Sequence, residues 1–343
     1  MCIRNRATGF IGSCRRRNAR RAPNRLTATQ RLETNSMNSD AITASSRLSI
    51  AIVGVGKIGS TIAYQLARAG HEVTVVARPG SERLRQLQRD QGIVRQTGER
   101  VATHVADALD EEVAYDLVVV TTLAHQVEAV LPGLQRSKAR CIHFMFNTFE
   151  PERLRNAVGE HRSTFGMPMV VASLNPQGQL RSTITSSRKT LHGDRRWVQL
   201  FANCGLPSAF EGDMMLWLRC HVPFCIATEA ISIAAKRRGE GATWAEAMIA
   251  ARGLHAAFAI IRELGHGVYP RFKSVIASSP IILVASMLWL VSRVAPIRDA
   301  LANGLDECRA LVDEVVAAAI VEPNPVLAAA TKSVIAMKPA EQK

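Results

Sequence analysis

The residues best placed to do chemistry in this sequence are three glycines in one short run, Gly54-Val55-Gly56-Lys57-Ile58-Gly59. Glycines at that spacing give a tight turn, let the backbone approach a pyrophosphate, and let a following helix pack close to a preceding strand. The amides of such a helix start, with the positive end of its dipole, hold phosphate. The flanks supply the context that a glycine pattern needs. Leu48 to Val53 is a short apolar run suited to a strand buried on both faces. Ser60 to Ala69 reads as a helix with Ile62, Leu66 and Ala69 on one face, closed by Gly70, and His71 to Ala77 reads as a second strand. This strand, turn, helix, strand order is a Rossmann unit. Gly54, Gly56, Lys57, Ile58 and Gly59 are therefore the candidate cofactor-binding residues.

The end of the second strand bears on which nucleotide is held. An acid there would hold a free ribose 2′-hydroxyl. This chain has Arg78, followed by Pro79-Gly80. A guanidinium pairs with a 2′-phosphate, so the expected cofactor is NADP(H). Farther along, Leu117 to Val120 and Cys141 to Phe146 read as buried strands, with a short helix from Gln126 to Leu134 between them. Strand ends face the ligand crevice in parallel sheets, which places Thr121, Thr122 and Asn147 toward the nicotinamide. Val170 to Gly193 reads as a strand pair added to the sheet, and a helix is expected around Arg196 to Cys204.

From Met214 the pattern turns helical. Thr243-Trp244-Ala245-Glu246 is a capping box opening a helix to about Leu264, before Gly265. A last long helix spans about Leu305 to Ile320, with Cys308, Val312, Val315 and Ala319 on one face and Pro323 and Pro325 as its stop. The expected fold is thus an α/β Rossmann-type domain over residues 47–212 followed by an all-helical C-terminal domain over 213–343.

Charge is unevenly spread. Of the net +14, +8 lies in residues 1–36, which hold nine arginines and one acid. With no apolar periodicity, residues 1–46 are expected to be a disordered basic tail. It reads as a translated upstream extension before Met37, a transit peptide, or a nucleic-acid arm. No basic stripe interleaved with aromatics accompanies it, so no nucleic-acid partner is expected. Seven irregularly spaced cysteines form no zinc pair or disulfide framework and read as reduced thiols of a cytoplasmic protein. Residues 274–292 are uncharged over 19 residues and raise the alternative of a membrane-associated chain, although a buried helix explains them as well. A short-chain dehydrogenase is disfavoured, because none of Tyr64, Tyr115 and Tyr269 has a lysine four residues later.

On these residues the chain resembles the ketopantoate reductases (2-dehydropantoate 2-reductases), NADPH enzymes of pantothenate biosynthesis. The resemblance runs over about residues 48 to 335 and is stronger in the first half. It is carried by Gly54, Gly56 and Gly59, by Ala77-Arg78, by Gln126, by Phe146-Asn147-Thr148 where the family has Asn-Gly, by Leu216-Trp217, and by Glu307 before Leu311. It implies a cleft between the two domains, hydride transfer from NADPH to a small-molecule 2-keto acid, and protonation of the new alkoxide. It also implies that Asn147 contacts the nicotinamide end and that Glu307 helps hold ribose and substrate. A homodimer is compatible with this reading. The family's proton-donating lysine aligns with Arg219, which is effectively never deprotonated. Pro223 stands where the family has an asparagine, and Leu123 where it has a second lysine. His221 and Lys236 are the candidate replacement acids, so the catalytic candidates are Arg219, Glu307 and His221. Loss of the lysine also permits a non-catalytic NADP-binding protein.

Overall fold

Alternate residues of β1 (Ser49–Val53) enter two different cores: Ile50 and Ile52 join one, Ala51 and Val53 the other. A strand buried on both faces is what an unbroken apolar run requires. The computed structural model describes residues 47–302, 304–320 and 325–341. The basic tail and the stop signal Pro323 lie outside them.

β1 pairs in parallel with β2 (Glu72–Val76) and β6 (Leu117–Val120). Between β1 and β2 runs α1 (Lys57–Arg68), and α2 (Glu82–Asp90) follows β2. A small antiparallel hairpin, β3 (Gly92–Val94) and β4 (Arg100–Ala102), precedes β5 (His104–Ala106), which adds in parallel to β2. On the other side β6 pairs with β7 (Ile142–Phe144), and β7 with β8 (Ser163–Met167). Helices α3 (Val127–Arg136) and α4 (Pro151–Val158) fill the crossovers.

The second half of the sheet departs from expectation. The strand pair is present as β9 (Val171–Leu174) and β10 (Leu180–Thr183), but it forms its own two-stranded sheet. The strand that joins the main sheet is β11 (Thr190–His192), antiparallel to β8 and parallel to β12 (Ser208–Phe210), with α5 (Arg195–Asn203) between the last two. Alternation over 183–191 signals extended chain without naming its partner. The eight-stranded order is β12-β11-β8-β7-β6-β1-β2-β5.

The helical half is α6 (Met214–Arg238), α7 (Trp244–Glu263), α8 (Arg271–Ser278), α9 (Ile281–Val291), α10 (Ala295–Leu301), α11 (Leu305–Ile320) and α12 (Pro325–Ile335). The capping box at Thr243 is formed as expected. Pro325 opens α12; at a first helical position its missing N–H costs nothing. One core runs without interruption from Val118, Phe144 and Phe165 of the sheet into Trp217, Ile226 and Val315 of the helices.

Residues 274–292 do not make one helix. α8 and α9 meet at 113°. Pro280 sits at the break, where it has no amide to donate to a continuing helix. The resulting segments of 8 and 11 residues are each short of the ~20 a spanning helix needs. By length and composition alone α6 and α7 could each cross a membrane, but half or more of each apolar window is buried inside the protein.

Candidate functional site at the carboxyl ends of the sheet

The turn after β1 is built by omission of side chains. Gly54 has φ +91°, and a Cβ there would lie 2.8 Å from the Thr122 amide. A Cβ on Gly59 would lie 2.2 Å from the Gly54 carbonyl oxygen. At Gly56 the same test meets nothing within 4 Å, so this face of the turn is open. Gly56 is the N-cap of α1 and offers no side-chain cap, which leaves the first-turn amides free of a protein side chain. Close packing behind the turn and an open, uncapped helix start in front of it fit a bound dinucleotide pyrophosphate.

The side chains around the turn divide into braces and free groups. The Thr121 hydroxyl donates to the Gly54 carbonyl at 2.6 Å, so this expected cofactor contact acts on the turn itself. Arg83, which carried no sequence signal, reaches the Val55 carbonyl at 2.9 Å, the Ser60 hydroxyl at 2.9 Å and the Gly178 carbonyl at 2.7 Å. Burial pulls its pKa down to about 10, which still leaves it charged at neutral pH. The Thr122 hydroxyl is buried at the end of β6 without a hydrogen-bond partner. Lys57 and Arg78 are exposed, Lys57 at the first position of α1 and Arg78 beyond the end of β2. Ile58 is half-buried. The Gln126 side chain turns back to accept from the Leu123 amide at 3.3 Å.

Asn147 and Glu307, expected from distant parts of the sequence, meet. The Asn147 side-chain amide donates to Glu307 at 3.1 Å, and the Cys225 thiol of α6 reaches the Asn147 side-chain oxygen Oδ1 at 3.7 Å. α11 is held against the end of β7 by Glu314, which accepts from the Phe149 amide at 2.8 Å and the Thr148 hydroxyl at 3.4 Å. Glu229, one helical turn beyond Cys225, completes the group. Its Oε2 is buried without a partner, and burial, then the neighbouring Glu307, push its pKa up to about 9 against the pull of Lys57. A cavity of about 540 Å³ opens beside Glu307, with Leu123, Ile233, Lys236, Arg237 and Gly304 among its walls.

Arg219 is not part of this group through any of its hydrogen bonds. Its guanidinium donates to both Glu152 oxygens, to the Phe149 carbonyl at 3.1 Å and to His266 at 3.0 Å. Only 8% of its side chain is exposed. That set of contacts ties the start of α6 to the start of α4. His221 lies against the Trp217 ring at 4.5 Å. Burial, and then the charge of Lys273, push its pKa down to about 3, so the ring is neutral at neutral pH. Lys273 itself was not anticipated. It is fully buried, donates to the Trp217 carbonyl at 3.2 Å and sits 4.0 Å over the Trp217 ring; burial lowers its pKa to about 8.

These observations meet an independent comparison. Residues 50–195 match the model of the ketopantoate reductase PanE/ApbA family. No curated protein matches the chain by sequence. Among solved structures, a putative 2-dehydropantoate 2-reductase from Enterococcus faecalis superimposes with a TM-score of 0.60 at 16% identity, covering 85% of this chain and 98% of its own. A PanE/ApbA family ketopantoate reductase from Ralstonia eutropha JMP134 gives 0.63 at 18%, covering 84% and 98%. A D-mandelate dehydrogenase in complex with NADH gives 0.63 at 15%, covering 85% and 99%. At such identities the likeness is one of fold, and it extends over both the sheet and the helical half. The family match spans the glycine turn, Asn147 and the sheet that carries them, and the chain as a whole shares the fold of these solved structures.

Proposed function

We propose that this protein is a cytoplasmic NADPH-dependent oxidoreductase that reduces a small 2-oxo acid to the 2-hydroxy acid, with 2-dehydropantoate as the first substrate to test. The observation that carries the reading is the Asn147–Glu307 hydrogen bond at 3.1 Å, which joins the end of β7 to α11 across 160 residues. It brings an amide and a carboxylate together at the strand ends, where ligands of doubly wound sheets are held. The uncapped start of α1 would hold the pyrophosphate, with Lys57, Ile58 and Gly59 contributing backbone amides and Arg78 pairing with the 2′-phosphate. NADPH bound there supplies a hydride to the carbonyl carbon. The related structures include reductases named for 2-dehydropantoate and a D-mandelate dehydrogenase captured with anilino(oxo)acetate, which supports an oxo acid as the substrate class. Lys236 and Arg237, in the cavity beside Glu307, offer positive charge to a substrate carboxylate.

Cofactor choice is tested by titration. Arg78→Ala should weaken NADPH binding about tenfold to a hundredfold, the scale of a charge-assisted hydrogen bond, and leave NADH unchanged. Equal losses for both cofactors would remove the 2′-phosphate assignment. The reaction is tested by NADPH consumption across a panel of 2-oxo acids. A second reading, a cofactor-binding protein without turnover, is favoured by the commitment of Arg219 to Glu152 and Phe149. Tight NADPH binding with no oxo acid consumed would establish it.

A further inference from the structure

Resting on that oxo acid reductase reading, we infer that Glu229 is the acid that gives a proton to the carbonyl oxygen of the substrate. Glu229 follows Cys225 by four residues on α6, so the two share a face of the helix. Cys225 meets Asn147, and Asn147 meets Glu307. The group at the strand ends therefore consists of an amide, a thiol and two carboxyls. Gly304, just before α11, lies against the Glu229 carboxyl: a Cβ added there would be 3.3 Å from Oε2 and 3.6 Å from Oε1. Glycine at that position lets the backbone close over the acid. The buried Oε2 has no hydrogen-bond partner in the protein, which leaves it open to a bound group.

The electrostatic setting gives this carboxyl a proton to deliver. Glu307 raises its proton affinity, Lys57 from α1 lowers it, and the Cys225 and Cys308 thiols, themselves pushed up by burial, stay uncharged. Desolvation dominates, and the acid remains protonated at neutral pH. In the reaction the hydride adds to the carbonyl carbon, the C=O π pair moves onto oxygen, and that oxygen takes the proton from Glu229. The resulting carboxylate, attracted by Lys57, regains a proton from solvent water when product leaves. The other candidates are less suited. Arg219 cannot release a proton. His221 is a neutral imidazole at neutral pH, and its remaining N–H is far too weak an acid. The Lys273 ammonium is engaged by the Trp217 carbonyl and ring.

Two measurements on the full chain test this. In the cofactor-free protein, infrared titration should show a protonated carboxyl at pH 7 that disappears near pH 9 and is missing in Glu229→Gln. In turnover with NADPH and a 2-oxo acid, Glu229→Gln should lower kcat by about 10²–10⁴-fold with NADPH affinity unchanged. Unchanged affinity also shows that the variant is folded. The wild-type rate of reduction should fall as pH rises through about 9, and Glu229→Gln should lose that inflection. Glu229→Asp, which keeps the acid, should keep the inflection at a reduced rate. Absence of the protonated carboxyl from the wild-type spectrum overturns the inference whatever the substrate. So does a pair in which Lys273→Met abolishes turnover and its pH dependence while Glu229→Gln leaves both intact. If the carboxyl is present and no 2-oxo acid is reduced, the reaction assignment fails, and the proton-donor role fails with it.

Discussion

The turn after β1 and helix α6 both reach the sheet's carboxyl ends, and they are built by opposite means. The turn is defined by what its residues lack. Gly54 and Gly59 leave no room for a Cβ, and α1 begins without a side-chain cap. What it offers a ligand is backbone N–H, which does not titrate. α6, with Lys273 of α8 packed against it, is defined by long side chains removed from water. Arg219, His221, Lys273 and Glu229 each have a neighbour or a burial that sets what they can do. The turn's geometry follows from residue type at fixed spacing. On α6, charge state follows from who is packed beside whom.

The sharpest way to break that contrast is at Gly59. Gly59→Ala places a methyl group 2.2 Å from a backbone oxygen and 2.5 Å from the Thr121 hydroxyl. Backbone cannot yield as a flexible side chain can, so the loss should lie at the high end for single substitutions, above about 4 kcal/mol, and NADPH binding should go with it. Calorimetric melting and a cofactor titration read both. A variant that melts like the wild type would mean the turn is not tightly packed.

Arg219 comes next. Arg219→Leu strands the Glu152 carboxylate and the Phe149 carbonyl. Because about a third of Glu152 remains exposed, the expected cost is about 2–3 kcal/mol, below that of a fully buried pair. Arg219→Lys should recover only part of it, since an ammonium cannot span both carboxylate oxygens and the carbonyl as the planar fork does. Denaturant unfolding of the two variants decides this. Full recovery by lysine would show that charge alone matters there, and would return this position to the list of proton donors.

The smallest effects are the slopes of stability with pH. His221 titrates at 6.5 when unfolded and about 3 when folded. The unfolded chain therefore takes up the proton first, and stability present above 6.5 is lost as pH falls toward 3. Glu229 has the opposite sign: its folded value of about 9 exceeds the ordinary carboxyl value of 4.5, so its contribution is full below 4.5 and is lost as pH rises to 9. Each group contributes at most about 1.4 kcal/mol per pH unit. Melting temperature against pH should therefore flatten on its acid limb in His221→Phe and on its alkaline limb in Glu229→Gln. The buried pair His143 and His192, 3.0 Å apart, adds to the acid limb with the same sign as His221.

Much of the sheet was legible because its strands are apolar on both faces. Leu117–Val120 and Ile142–Phe144 announce themselves by composition alone. β5 did not, because an edge strand such as His104–Ala106 is half exposed and needs no apolar run. β11 was hidden for a related reason: three residues carry too little periodicity to separate a strand in the main sheet from the neighbouring hairpin. The capping box at Thr243 was readable because it is a local exchange of hydrogen bonds over four residues. Asn147 was read from its place at a strand end and Glu307 through family resemblance, and the fold brings them into contact. Cys225, Glu229, Lys273 and Arg83 were missed. Each is an ordinary residue in an ordinary helical stretch, with no spacing rule to mark it.

By itself the sequence determined the strand–glycine–helix unit, the change to helices at Met214, and a basic side chain, Arg78, just beyond the end of the second strand. These are local properties, set by dihedral freedom, periodicity and residue chemistry. Only the tertiary structure decided that Arg219 is locked to Glu152 and that residues 274–292 turn by 113° into two helices. It alone gathered two carboxyls, a thiol and an amide at the strand ends. Proton affinity depends on solvent exclusion and on charges brought near from elsewhere in the chain, and neither exists until the chain has folded.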